Sequence, residues 1–127
     1  MYMMRFDVIT IFPQMIDSYL GESIIERARE KKLIETYAHN LRDFSMDRKH
    51  RKVDDRAYGG GPGMVLKADS IARAIESALK FKSLKFKDLK KTKIILFSAG
   101  GKQFTAKMAV DWAKKYDRII MIAGRYE

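Results

Sequence analysis

The sequence predicts an α/β protein with a largely parallel sheet and helices on both faces. Two observations support this fold class. Short apolar runs rich in β-branched residues alternate along the chain with stretches whose apolar residues recur at helical spacing. In addition, glycines cluster where apolar runs end, which is where ligands collect in parallel sheets. At 127 residues, of which 46% are hydrophobic, the chain is long enough for one buried core.

The first elements are a strand and a short helix. Residues 5–12 form an apolar run that predicts a strand. Pro13 suits the first turn of a helix, because the N–H that proline lacks would be unpaired there anyway. The helix is expected to end near Leu20, since Gly21 favours a helix stop.

A second helix and strand follow. Ser23 and Glu26 have the spacing of a capping box, which predicts a helix from Ser23 through about Lys31. Residues 33–38 then resemble a short strand. After it, residues 41–63 show no regular period and are expected to be a long loop.

The second half alternates in the same way. Asp69 is predicted to cap a helix whose apolar face packs on the sheet. That face comprises Ile71, Ala74, Ile75, Ala78 and Leu79. Residues 93–98 and 118–123 are predicted strands. The helix between them has an apolar face formed by Phe104, Met108, Ala109, Trp112, Ala113 and Tyr116.

The composition excludes several kinds of protein. The 26 Lys and Arg against 16 Asp and Glu give a net charge of +10, yet the chain is too apolar for a disordered basic tail. No apolar run approaches the roughly 20 residues that cross a bilayer. There is no cysteine, and two isolated histidines do not make a metal site. We therefore expect a cytoplasmic protein that neither associates with a membrane nor binds a metal.

Much of the positive charge lies in residues 80–93, which hold seven lysines and one aspartate. The simpler interpretation is a solvated connector. The alternative is a patch that contacts phosphates, because lysine acts there as a point charge.

The glycines do not form a known nucleotide motif. Counted from Gly59, the dinucleotide fingerprint needs glycine where the chain has Met64. A P-loop that ends at Lys102 needs glycine where the chain has Leu96. No serine lies in a G-x-S-x-G elbow either.

A composite of charged, aromatic and glycine residues is more informative. Its blocks are RDF at 42–44, VDDR at 53–56 and YGGGPGM at 58–64. A backbone with so little side-chain bulk lets a flat ligand such as a nucleobase lie against main-chain groups. A flexible loop is the alternative for the glycines alone. The paired Asp54 and Asp55 favour a ligand site, since they can accept hydrogen bonds from base edges or orient Arg56.

This composite, with FP at 12–13, ILFS at 95–98 and GRYE at 124–127, resembles the bacterial tRNA (guanine-N1)-methyltransferase family. The resemblance spans essentially the whole chain, and VDDR-x-YGGGPGM followed by GRYE is highly specific. It implies a SPOUT-class α/β domain with a trefoil knot that works as a homodimer. It also implies methyl transfer from S-adenosyl-L-methionine to N1 of the tRNA guanine 3′ of the anticodon, at position 37.

The resemblance implies two sets of site residues. The residues implied to bind the cofactor are Leu96, Phe97, Ser98, Gly124, Arg125, Tyr126 and Glu127. The residues implied to lie beside the target guanine are Asp54, Arg56, Tyr58, Pro62 and Gly63. No catalytic base is assigned, because the aspartate that the family uses is expected beyond Glu127.

The chain stops at Glu127, just after a predicted strand that nothing covers. We therefore expect residues 1–127 to be the N-terminal S-adenosylmethionine-binding domain of a longer enzyme, with the knot incomplete and the C-terminal tRNA-binding domain absent. Such a portion alone is expected to be inactive and to bind the cofactor weakly or not at all.

Two alternatives remain open. A non-catalytic basic RNA-binding module would explain the net charge but would not recognise S-adenosylmethionine. Another knotted RNA methyltransferase would bind the cofactor but modify a different nucleotide.

Overall fold

The structure, a computed structural model, describes residues 3–56, 64–81 and 91–124. The strands in this part of the chain are β1 (Met4–Thr10), β2 (Ile34–Asn40), β3 (Asp54–Arg56), β4 (Met64–Leu66), β5 (Thr92–Leu96) and β6 (Arg118–Ala123). The helices are α1 (Pro13–Leu20), α2 (Ser23–Glu30), α3 (Ala68–Lys80) and α4 (Ala106–Lys115), and a 3-10 helix covers Leu41–Phe44.

Four parallel strands form the main sheet in the order β2-β1-β6-β5. In its register, Thr10 of β1 lies opposite Asn40 and Ala123, and Leu96 lies opposite Ile122. Because the strands are parallel, their carboxyl ends lie along one edge of the sheet. The predicted α/β class with a parallel sheet is confirmed.

Helix α3 packs on one face of this sheet. Its Ala74 and Ala78 are fully buried and belong to one apolar core with Ile9, Ile120 and Ile122. The connection through α3 crosses the sheet in the direction opposite to the β1-to-β2 and β5-to-β6 connections. Right-handed crossovers therefore place α1, α2 and α4 on the other face, as expected for helices on both faces.

The segment predicted to be one long loop is partly regular. Strands β3 and β4 form an antiparallel ribbon in which Asp54 lies opposite Leu66. The backbone N–H of Lys67 donates to the Val53 carbonyl at 2.6 Å, which fixes the base of the ribbon. Leu41 and Val53 are buried in the core, and this burial orders a segment whose sequence shows no period.

Both predicted helix caps are wrong. Glu22 is the N-cap of α2 and makes no side-chain capping bond, while Ser23 has a φ of 56°, outside the extended conformation of a capping serine. Helix α3 has Lys67 as its N-cap. Asp69 lies in the first turn, where its Oδ1 accepts from the Ser70 N–H at 2.8 Å. An acidic residue in this turn is still favourable, because the N-terminal end of a helix carries a partial positive charge.

Helix α4 does have a side-chain cap, which the residue pattern did not reveal. Thr105 is its N-cap, and the hydroxyl oxygen accepts from the Met108 N–H at 3.2 Å. The helix therefore begins at Ala106, two residues after the predicted face begins. In the described ranges, no helix combines the length and the apolar character needed to cross a membrane. Within the lysine-rich segment, residues 82–90 lie outside the described residues.

Candidate functional site

Strands β5 and β6 end side by side at the carboxyl edge of the sheet. The Phe97 N–H donates to the Ile122 carbonyl at 3.2 Å, so their pairing continues one residue past β5. Gly124 follows directly after Ala123 on the neighbouring strand. The fold therefore places Leu96, Phe97 and Gly124, all predicted cofactor residues, on adjacent strand ends.

A tight turn follows β5 at Ser98. The Ser98 hydroxyl accepts from the Gly100 N–H at 3.3 Å, and the Gly101 N–H donates to the Ser98 carbonyl at 3.2 Å. A Cβ atom at Gly101 would lie 3.3 Å from that carbonyl oxygen, so glycine lets the turn close. Beside this turn, the side chains of Leu96 and Phe97 are 61% and 56% exposed. Apolar groups presented in this way are typical of a binding surface.

A cavity of about 590 Å³ opens between this turn, α4 and the sheet. Its apolar lining includes Phe6, Ile95, Leu96, Phe97, Phe104, Met108, Trp112, Ile119 and Met121. The Phe104 and Trp112 rings have centroids 5.1 Å apart. The Lys93 ammonium lies 5.4 Å from the Trp112 centroid, and Lys102 also lines the cavity. We name this space the strand-end cavity. Its volume is within the range of about 300–1,000 Å³ of small-molecule sites.

The residues implied to face guanine are only partly within the described residues. Asp54 opens β3 and is half-buried, and the Arg56 backbone lies opposite Met64 in the ribbon. Tyr58, Pro62 and Gly63 lie outside the described residues. The same holds for Arg125, Tyr126 and Glu127 of the cofactor set.

A buried charged cluster at the other half of the sheet was not predicted. Arg5 and Asp7 are both fully buried, and Arg5 donates to the two Asp7 oxygens at 2.8 and 2.9 Å. His39 Nε2 lies 2.7 Å from Asp7 Oδ1, and Arg5 also donates to the Ala78 carbonyl of α3 at 3.4 Å. The signal in the sequence was two charges at alternate positions of an apolar strand, which place both side chains on one face.

Arg118 extends this charged region along β6. Its Nε donates to the Thr92 hydroxyl at 3.1 Å and its Nη1 to the Leu79 carbonyl at 3.1 Å. Burial lowers the pKa of the Arg118 guanidinium. These bonds hold the carboxyl end of α3 against the sheet, so the cluster has a structural role. In the described ranges, no group of three or more His, Asp and Glu side chains is placed to hold a metal.

Comparison with known proteins gives consistent results. The sequence model described as tRNA (Guanine-1)-methyltransferase TrmD matches residues 4–127. The tRNA (guanine-N(1)-)-methyltransferase of Thermomicrobium roseum is 48% identical over 124 residues, covering 98% of this chain and 43% of that protein. The corresponding protein of Dictyoglomus turgidum is 44% identical over 125 residues, covering 98% of this chain and 46% of that protein. The chain thus spans about half the length of the curated relatives it matches.

A solved structure has the same fold. The crystal structure of tRNA (m1G37) methyltransferase from Aquifex aeolicus matches with a TM-score of 0.77 and 33% sequence identity. The match covers 94% of this chain and 50% of that one. It confirms the predicted SPOUT class, whereas the incomplete knot stays a prediction.

Proposed function

Because this chain belongs to the tRNA (guanine-1)-methyltransferase family, we propose that it forms the S-adenosylmethionine-binding domain of an enzyme that methylates N1 of guanine 37 in tRNA. The observation that carries the proposal is the strand-end cavity. It opens beside Leu96, Phe97 and Ser98, the residues of the ILFS motif that the family resemblance implies for the cofactor. The relatives' names supply the reaction, and the cavity supplies a place for a cofactor.

The strand-end cavity suits S-adenosylmethionine in size and in lining. Leu96 and Phe97 offer apolar contact for an adenine ring, and the Ser98 to Gly101 turn offers main-chain groups within the same wall. Gly124 brings a backbone without side-chain bulk to the neighbouring strand end. Arg125, Tyr126 and Glu127 complete the proposed set. When bound, the cofactor supplies an electrophilic methyl group on a sulfonium.

The target guanine is proposed to lie against the segment after β3. Asp54 and Arg56 would bind its polar edge, and Tyr58, Pro62 and Gly63 would form the surface beneath it. As guanine N1 gains the methyl carbon, the bond from that carbon to sulfur breaks and the N1 proton must leave. No residue in the described ranges is assigned as the base that accepts this proton. The proposed role of Asp54 is to orient the base by hydrogen bonding.

The proposed assembly follows from the same family. We propose that tRNA is the partner, that the enzyme works as a homodimer, and that it acts in the cytoplasm, where tRNA is found. Both the substrate and the oligomer can be tested on the complete gene product.

The decisive test of the function is methylation of a defined tRNA. The complete gene product is incubated with S-adenosylmethionine and an unmodified tRNA carrying guanine at position 37, and nucleosides are identified by mass spectrometry. We expect 1-methylguanosine, and none from a control tRNA with adenine at that position. Absence of product, or methylation of the control, would contradict the proposal.

Calorimetry with S-adenosylmethionine separates this proposal from the RNA-binding module. We expect Leu96→Asp to abolish cofactor binding. The control is Ile24→Asp, at a remote and exposed position of α2, which should keep it. This pair of results would support a cofactor site at the strand ends. Tight tRNA binding without any heat from the cofactor would favour the non-catalytic module instead.

A further inference from the structure

A second cavity, of about 530 Å³, lies beside the segment that joins β2 to β3. Its charged lining consists of Arg42, Arg48, Arg51, Arg73, Asp43 and Asp47. We name it the arginine cavity. Four guanidinium groups against two carboxylates make it a concave surface with excess positive charge.

Both carboxylates already have partners inside the protein. Asp43 pairs with Arg51. Asp47 Oδ1 accepts from the backbone N–H groups of Lys49 at 3.2 Å and His50 at 3.1 Å. The bond from His50 is the main reason that the pKa of Asp47 lies below its ordinary value. The two acidic groups are therefore occupied in shaping the loop.

The arginines divide into structural and available groups. Arg73 Nε donates to the Phe44 carbonyl at 2.9 Å, and its Nη1 lies 3.7 Å from Asp69, so Arg73 fixes the wall. Arg42 makes one long bond, from Nη1 to the Arg51 carbonyl at 3.4 Å. Among the residues that the structure describes, the exposed Arg48 guanidinium makes no ion pair or hydrogen bond. The guanidinium groups of Arg42 and Arg48 thus have N–H donors that can bind a ligand.

The wall that carries them is anchored at both ends. Leu41 and Val53 are each 1% exposed, and Phe44 packs against the core between them. Across the loop, the Ser45 hydroxyl donates to the Lys52 carbonyl. A preorganised wall loses less conformational entropy on binding than lysines on a solvated surface do.

The position of the arginine cavity relates it to the proposed guanine site. Leu41 follows the carboxyl end of β2, at the sheet edge where β5 and β6 also end. At its other end the segment leads through Val53 directly into Asp54. The segment that lines the arginine cavity is therefore continuous in the chain with the proposed guanine site at Asp54.

We propose that the arginine cavity binds backbone phosphates of the tRNA next to the target guanine. Arg42 and Arg48 contact the phosphate oxygens, and Arg73 positions the wall through the Phe44 carbonyl. Arginine suits this task because its planar guanidinium can donate two parallel bonds to one phosphate. Such contacts fix the register of the strand without reading its sequence. The inference rests on the proposed function for the identity of the nucleic acid.

The salt dependence of tRNA binding tests this proposal. The affinity of the complete gene product for a guanine-37 tRNA is measured by fluorescence anisotropy over a series of KCl concentrations. Each of Arg42→Gln and Arg48→Gln is expected to lower the slope of log K against log salt by about 0.7, the value for one single-strand phosphate contact. Arg48→Lys should keep the slope. The matched control is Arg27→Gln, an exposed arginine of α2.

Each outcome of this experiment either supports or overturns the proposal. Unchanged slopes for both variants, or an equal loss in Arg27→Gln, would overturn the proposal. Inorganic phosphate alone is titrated in parallel at constant ionic strength. If the variants weaken the binding of inorganic phosphate but not that of tRNA, the cavity binds free phosphate and the tRNA assignment is wrong. S-adenosylmethionine affinity should be unchanged in both variants. If the wild type methylates no tRNA while the slopes still fall, the proposed function fails and the phosphate site stands.

Discussion

Asp7 joins Arg5 and His39 within the sheet, and its removal should be costly. It accepts two bonds from Arg5 and lies 2.7 Å from His39, with no exposed surface. Asp7→Asn leaves the Arg5 charge buried without a counter-ion, which we expect to lower the free energy of unfolding by about 3–5 kcal/mol. Urea unfolding followed by circular dichroism measures the loss.

Two control variants show whether the stability loss in Asp7→Asn comes from the buried charge. Asp17→Asn changes an exposed aspartate of α1 and should cost little. The double variant Arg5→Met with Asp7→Leu removes both charges and should recover much of the stability. A cost below about 1 kcal/mol for Asp7→Asn would show that the ion pair does not matter for folding.

The lowered pKa of Asp47 predicts that the loop lining the arginine cavity is sensitive to acid. Its pKa is lowered chiefly by the His50 N–H, so the charged form stabilises the folded loop. The stabilisation is complete above the ordinary value of 3.8 and is lost as pH falls through the lower folded-state pKa. In an NMR pH titration, the Lys49 and His50 amide signals should move with a midpoint below 3.8. In Asp47→Asn this titration should vanish; a midpoint at or above the ordinary value would contradict the assignment.

Helix α4 forms one wall of the strand-end cavity. Thr105 caps it, and loss of a capping hydroxyl costs about 1 kcal/mol. Thr105→Ala should loosen the wall that holds Met108 and Trp112, and weaken S-adenosylmethionine binding by up to about fivefold in calorimetry. Thr105→Ser keeps the acceptor and should stay near wild type. Equal affinity for the alanine variant would show that the cap and the cavity are independent.

Elements with clear periodicity were predictable, whereas the capping residues of the helices were not. Helix α1 and strand β6 lie where the sequence placed them. The caps at Ser23 and Asp69 were wrong because a capping bond requires a particular backbone conformation, and spacing alone does not report φ. Strand β3 was missed because three residues are too few to show a period.

The closeness of some candidate site residues was predictable where it follows from topology. Parallel strands bring their carboxyl ends together, so motif residues such as Leu96 and Gly124 had to lie at one edge. The Asp7 to His39 contact joins residues 32 positions apart on neighbouring strands. The arginine cavity likewise needs Arg73 of α3 against Phe44. Such pairings depend on register and helix placement, which residue patterns alone do not specify.

At the scale of the whole molecule, β5 leaves an apolar edge. In the described part of the chain it pairs with β6 alone, and Ile94 and Leu96 are 45% and 61% exposed. An open strand edge of this kind promotes association. We expect the 127-residue chain to self-associate in sedimentation velocity as concentration rises, and Ile94→Lys to suppress this. Val110→Lys, at another exposed apolar position, on α4, is the control; equal suppression would rule out the strand edge as the cause.

The place of β1 in the sheet also governs how the chain can fold during its synthesis. Strand β1 is synthesised before β2 to β6, but one of its two neighbours is β6, with Arg5 opposite Arg118. At about 5–20 residues per second, roughly 10 s separate the translation of these two residues. During that interval one edge of β1, an interior strand of the sheet, has no native partner.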